Sequence, residues 1–387
     1  MTGLHALATP LRLRPGVPMG ANLQASRPEL AQPLAERLRP AELPRAWASV
    51  FNLCGHAHHL AATLALQALE VPLGADTGTD RAELARRLRT ETLAEHTRRL
   101  HLDWPRLFGD AAAQAGAAQD LQALAPLLRA TAQPTHGTSW ATLHQGQRQA
   151  LDAAPEHWLA QWQASPLAWL KTWSKAQDTW LARLLAHALA QDVSLPASRV
   201  PDLRVHAHAD TLYTWARETL ALPSTAPPLW QGKPAHTGFW TRGAAPTAPD
   251  SAALLLGARI AEWLRLAQPP TASSAARLAF GALRLDDARA VAWVEMARGL
   301  LLHLVQIDHP AAARVARYRI VAPTDWNFHP QGLAAQALAT MAPAKRDATF
   351  GAGGSAVNLL MAALDPCLPF EIEPAQQAVA VAEFPDA

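Results

Sequence analysis

Leucine and alanine recur at three- and four-residue spacings along most of the chain. This periodicity predicts amphipathic helices over residues 56–70, 81–100, 155–190, 251–267 and 288–306. Strand signals are few: RYRIVAP at 317–323 is the strongest, followed by DLRVHAHA at 202–209 and AVAVAEF near the C-terminus. The pattern therefore predicts a mainly α fold, a helical bundle core with a few short strands. From Leu222 to Asp250 the chain is crowded with Pro, Gly, Ser and Thr and fits neither a single helix nor a regular strand. Trp230, Phe239 and Trp240 in that stretch argue for a loop pinned to a core. The expectation is one domain over 1–387 with a packed excursion at about 222–250. Tryptophans at 158, 162, 169, 173 and 180 fall on one helical face, with Pro166 placed to break the helix. Core packing is the expected role of this stripe, ahead of a docking face for a partner protein.

Composition narrows the function classes. The chain has 387 residues, half of them hydrophobic, so a large core is within reach. Its formal net charge of +2 gives no global attraction to nucleic acid or to an anionic membrane. No apolar run approaches the length of a spanning helix. The start, interrupted by Pro10 and Pro15, lacks the apolar core of a secretory signal, which makes a cytoplasmic location the expectation. The two cysteines, Cys54 and Cys367, rule out a disulfide framework and any four-thiolate cluster built from this chain alone.

Candidate chemistry gathers at three places. His206 and His208, two apart on a possible strand, form a weak metal-ligand pair with no third and fourth partner in view, and the bland reading is a solvated pair. Cys54 precedes Gly55 and the His56-Ala57-His58-His59 run at a predicted helix start. There backbone N–H groups and the helix dipole favour thiolate over thiol, although a lone cysteine is more often a small buried hydrophobe. Cys367 lies between Pro366 and Pro369 after an apolar run, in a non-helical turn where Asp365 can accept hydrogen bonds.

Read in order, these segments resemble a known family. Glu295-Met296-Ala297-Arg298-Gly299-Leu300-Leu301-Leu302-His303 is similar to the Glu-Ala-Pro-Arg-Gly-Ala-Leu-Gly-His segment of nickel–iron hydrogenase large subunits. Tyr318 through Pro330, with Pro323-Thr324-Asp325-Trp326-Asn327, resembles that family's Val-Pro-Thr-Thr-Trp-Asn-x-x-Pro. Asp365-Pro366-Cys367 matches its Asp-Pro-Cys-x-x-Cys, and Cys54-Gly55 its Arg-x-Cys-Gly-x-Cys. A looser likeness runs from Gly232 to Arg242, where the family has Glu-Thr-Gly before an arginine.

The departures shape what the resemblance implies. The second thiol of each cysteine motif, which bridges nickel and iron in the enzymes, corresponds to Ala57 and to Phe370. The histidine that closes the enzymes' C-terminal motif corresponds to Glu373, so precursor cleavage is not expected. The chain thus looks like the HupK/HoxV group of hydrogenase maturation proteins and not like a working hydrogenase. The resemblance implies a carrier for an Fe(CN)2(CO) unit held by Cys54 and Cys367, with no stable role for nickel. Arg298, Pro323, Thr324 and Asp365 would line the pocket for the cyanides, and His303, Trp326 and Asn327 would be structural. His56, His58 or His59 could assist as a ligand. Expected partners are the hydrogenase large subunit, small hydrogenase chaperones and iron-delivery maturation proteins. The alternative is a metal-free mimic of the large subunit that recruits those chaperones.

Overall fold

In the computed structural model, residues 10–25, 29–73, 80–130, 140–196, 200–205, 208–243, 248–268, 278–308, 314–342 and 356–373 are described. The expected helices form at Gly55–Ala68, Arg81–Arg98 and Ala252–Ala267, and the 155–190 stretch folds as Pro155–Ala164, Pro166–Ala176 and Trp180–Gln191. Pro166 does break that stretch, sitting in the first turn of the second piece, where its missing N–H costs nothing. The Ala252–Ala267 helix runs through the main core and buries every residue except Arg265, as its nearly all-round apolar sequence requires. The tryptophan stripe docks on it. A Cβ at Gly257 would lie 2.4 Å from the Trp162 ring and 2.8 Å from Leu170, so glycine is what lets these helices approach. Trp158 stacks on Trp162 and meets Trp173 edge-on at 5.8 Å. Core packing is the role of the stripe, with Trp169 partly buried against the same cluster.

The strands are β1 (Leu11–Leu13), β2 (Leu23–Gln24), β3 (Phe280–Arg284), β4 (Arg289–Met296), β5 (Gly299–Ile307), β6 (Val315–Val321) and β7 (Phe370–Ile372). The helix expected at 288–306 is therefore wrong: that stretch is the β4–β5 hairpin, at the middle of an antiparallel sheet ordered β3-β4-β5-β6. The reason is burial on both faces. Ala290, Ala292 and Val305 pack with Trp47 and Leu66 on one side, while Val291, Leu302 and Leu304 pack with Trp215 and Trp326 on the other. With both faces apolar, the two-residue alternation that marks a strand disappears. Strands of eight and nine residues also correct the expectation that all strands are short. β6 lies where RYRIVAP predicted it. Among the described residues of the 202–209 stretch, the strand pairing is an isolated bridge, Asp202 to His236, before a helix starts at Ala209. The AVAVAEF segment lies outside the described residues.

The described residues of the 222–250 stretch are anchored by buried side chains and hydrogen bonds. Trp230, Phe239 and Trp240 are buried. Arg319 of β6 donates to the carbonyls of Thr219, Pro223 and Ala226, and the Trp215 indole N–H to that of Leu229. A second, small sheet joins the two ends of the chain in the order β2-β1-β7, with β1 and β7 parallel. Among the described residues no helix is long and apolar enough to cross a membrane.

The β4–β5 turn carries Ala297 and Arg298, and Gly299 closes it at φ +136°. A Cβ at Gly299 would lie 2.8 Å from Thr237 Cγ2 and 2.9 Å from its hydroxyl. That hydroxyl accepts the Leu300 N–H, and Asn327 clasps both the N–H and the carbonyl of Thr237. We expect Gly299→Ala to cost about 1–3 kcal/mol of stability, from a positive φ and a contact with no room to relax. A urea midpoint equal to that of the wild type would contradict this account of the turn.

Candidate metal-binding site

Cys54 ends a 3-10 turn and occupies the N-cap of the Gly55–Ala68 helix. A Cβ at Gly55 would sit 2.8 Å from the Ala48 carbonyl, so glycine allows the preceding helix, Leu43–Val50, to pass close behind the cysteine. The free helix N-terminus anticipated beside Cys54 is not free. The Glu91 carboxylate, reaching across from the Arg81–Arg98 helix, accepts the His56 and Ala57 N–H groups at 2.7 and 3.0 Å. The expected bias toward thiolate is reversed as well. Burial pushes the Cys54 thiol up, and the Arg298 guanidinium opposes that only in part, with Glu91, Cys367 and Glu95 adding to the rise.

Cys367 is exposed and belongs to the turn after the Ala356–Leu364 helix. Its N–H donates to the Thr324 hydroxyl, 3.2 Å away, and that hydroxyl lies 3.1 Å from the Cys367 sulfur as its donor. Pro323 and Thr324 are buried in the first turn of a short helix, Pro323–Asn327, whose N-terminus is closed by Asp325 accepting the Ala322 N–H. Tertiary folding brings the two thiols into electrostatic reach of each other, and both act on Arg298.

Arg298 is buried in a network of charges. It pairs with Glu95 and lies 3.6 Å from Asp365. Asp365, at φ +50° and itself buried, holds Arg259 at 2.7 Å and Arg99 at 2.8 Å. Burial alone would raise its pKa, but the three guanidiniums dominate and hold the carboxyl well below the usual range. Arg259 is fully buried with its face over the Phe239 ring at 4.6 Å. Its Nε and Nη1 atoms, and Nε of Arg298, have no hydrogen-bond acceptor among the described residues. Buried guanidinium N–H groups without acceptors are donors in waiting for an anion or water.

His56 and His58 are engaged with other groups. His56 Nε2 lies 3.3 Å from the Leu84 carbonyl, and His58 stacks on Phe51 with Nδ1 3.0 Å from His303 Nε2. His303, fully buried, lies 2.7 Å from the Tyr318 hydroxyl, and Trp326 packs against Trp215. Among the described residues no three His, Cys, Asp or Glu side chains form a metal-binding group. His206 lies outside them. Glu373, at the position of the enzymes' closing histidine, pairs with Arg14 at 2.7 Å where β7 meets β1.

Glu91, Glu95, Arg99 and Arg259 were missed in the sequence. The first three recur every fourth residue, a spacing that marks one helix face, and Arg259 is conspicuous as a cation in AALLLGARIAEWLRLA. Charge pairing here is linked to pH. Burial raises the Glu95 pKa, but Arg298, with Arg98 and Arg99, outweighs it and lowers the carboxyl to about 2. Its stabilising contribution is fully present above the unfolded carboxylate value of about 4.3 and is lost as pH falls toward about 2. The urea midpoint should therefore drop over that window, and less steeply in Glu95→Gln. Identical profiles for the two proteins would refute the assignment.

No family model matches the chain. It is 39% identical to the hydrogenase expression/formation protein HoxV of Cupriavidus necator, with 96% of this chain and 97% of the relative covered. It is 29% identical to HupK, also a hydrogenase expression/formation protein, of Rhizobium leguminosarum bv. viciae, covering 90% and 91%. Among solved structures it is similar to the large subunit of an NAD+-reducing [NiFe]-hydrogenase, with a TM-score of 0.54 at 17% identity over 89% of this chain and 91% of that one. A likeness this distant in sequence speaks for the fold, which is that of nickel–iron hydrogenase large subunits. The ordered motifs, the fold and a full-length relative agree, and the chain belongs to the HoxV/HupK family of hydrogenase expression/formation proteins.

Proposed function

We propose that the protein is a maturation carrier that holds an iron–dicyanide–carbonyl unit through Cys54 and Cys367 and passes it to a hydrogenase large subunit. The observation that supports this reading is that Cys54 and Cys367, distant in sequence, both bear electrostatically on the buried guanidinium of Arg298. Thiolate is a fitting donor for low-spin iron, and anionic cyanides removed from water require hydrogen-bond donors, which the unpartnered guanidinium N–H groups of Arg298 and Arg259 supply. Thr324 lies beside Cys367 and donates its hydroxyl to the sulfur, while Pro323, which has no N–H, precedes it as an apolar neighbour. Asp365 acts at one remove, because its carboxylate is engaged by Arg99 and Arg259 and orients the guanidinium cluster.

Iron is the cargo, and nickel has no place in this reading because two thiolates fall short of the four that a nickel–iron pair needs. Transfer would be ligand exchange: an acceptor with four thiolates takes the unit from a carrier with two. The relatives carry names of expression and formation proteins, which fits a role in assembly and not in hydrogen turnover.

The full chain purified from a maturation-competent host should show cyanide and carbonyl stretches in the infrared, and these should vanish in Cys54→Ala/Cys367→Ala. Absence of the bands in the wild type, their persistence in the double variant, or full hydrogenase maturation supported by that variant would overturn the proposal. The last result would instead favour a metal-free role in recruiting chaperones.

A further inference from the structure

We propose that the Arg81–Arg98 helix, extended by the π-helical turn Arg99–Asp103, is the frame that positions the two thiols and Arg298, and that Glu91 is the residue that keeps Cys54 available as a ligand. The inference rests on the two-thiol reading of the site. Three residues at four-residue spacing on this helix grip three separate motif segments. Glu91 accepts the His56 and Ala57 N–H groups just after Cys54, Glu95 pairs with Arg298 in the β4–β5 turn, and Arg99 pairs with Asp365 two residues before Cys367. Segments that are hundreds of residues apart are thereby held by one face of one helix. A π-turn widens the helix by one residue per hydrogen-bonded ring and is found mostly where function requires it; here it begins at Arg99, the last of the three grips.

Glu91 has a specific task within this frame. A helix start leaves its first N–H groups without partners, and the N-cap side chain normally accepts the second or third of them. Cys54 holds the N-cap position but makes no such bond, because both candidate N–H groups are taken by Glu91. The cap is supplied from another helix, and the Cys54 sulfur is spared for another partner. Without Glu91 the turn that carries Cys54 would lose its anchor to the Arg81–Arg98 helix, and the sulfur would no longer be held in one place. Glu91 is thus a positioning residue that touches no cargo.

The test uses Cd2+ added to the intact, reduced chain and follows thiolate-to-cadmium absorbance. Soft thiolates favour this ion, and the signal reports the cysteines alone. Glu91→Ala should weaken Cd2+ binding about tenfold, the lower end of what a metal site loses with a group that holds a ligand in place. Glu91→Gln, which retains one acceptor oxygen, should fall between the two. Glu83→Ala removes a half-buried carboxylate of the same helix that pairs, among the described residues, with Arg86 and Arg87, and it should bind as the wild type does. Wild-type affinity in Glu91→Ala, or equal losses in Glu83→Ala and Glu91→Ala, would overturn the proposal. Should Glu91→Ala fail to fold, Glu91→Gln decides, and wild-type affinity there overturns it. A wild-type chain whose signal survives unchanged in Cys54→Ala would refute joint ligation, and with it both this role and the reading beneath it. Joint ligation at wild-type affinity without Glu91 refutes this role alone.

Discussion

The constraint on which the site depends is the burial of Asp365 among guanidiniums. A carboxylate removed from water is costly unless paired and hydrogen-bonded, and Asp365 meets that demand with Arg259 and Arg99 in direct contact and Arg298 just beyond. Each partner comes from a different part of the chain: the central Ala252–Ala267 helix, the turn after Arg98, and the β4–β5 hairpin. Satisfying one charge therefore fixes the relative placement of four segments, including the turn that presents Cys367. Such pairs contribute little net stability compared with apolar packing, and their value here is geometric.

The positions of the two missing thiols have been taken over by the scaffold. Ala57 is fully buried, and its N–H is held by Glu91. Phe370 opens β7, pairs with Leu11 of β1 and packs against the main core. The apolar ring of Phe370 and the small, enclosed methyl of Ala57 differ from thiols in their chemistry and in what they contact. The chain keeps the frame of a large subunit while the bridging ligands of the two-metal centre are gone.

Much of this was legible in the sequence, for identifiable reasons. Helices with one apolar face announce themselves through 3.6-residue periodicity, Pro166 announced a break, and the aromatic residues of the 222–250 excursion announced its anchoring. The motifs single out Cys54, Arg298, Thr324 and Cys367, of which Thr324 and Cys367 are in hydrogen-bond contact. The β4–β5 hairpin was misread because a strand covered on both faces loses its alternation. The capping of the Cys54 helix by Glu91 was invisible because it is a tertiary contact between two helices, whereas capping rules consider only neighbours in sequence. The helix-dipole expectation for the Cys54 thiol failed for the same reason, and burial then set its direction.

The electrostatics of the buried cluster bear on why two thiolates could suffice for a carrier. Iron(II) with two cyanides, a carbonyl and two thiolates is formally a dianion, which a dry apolar pocket would reject. Here Arg98, Arg99, Arg259 and Arg298 face Glu95, Asp103 and Asp365, and the buried Glu91 adds a fourth carboxylate near Arg298, so the cluster offers an anion its N–H groups and no excess of positive charge. Under the proposed reading, part of the binding energy for such a unit would come from buried guanidinium donors, and less from metal–sulfur bonds. Hydrogen bonds exchange more readily than metal–ligand bonds, so a unit held in this way would have fewer ligands to exchange on leaving. Buried donors with a reduced ligand set would therefore suit capture followed by release better than permanent retention.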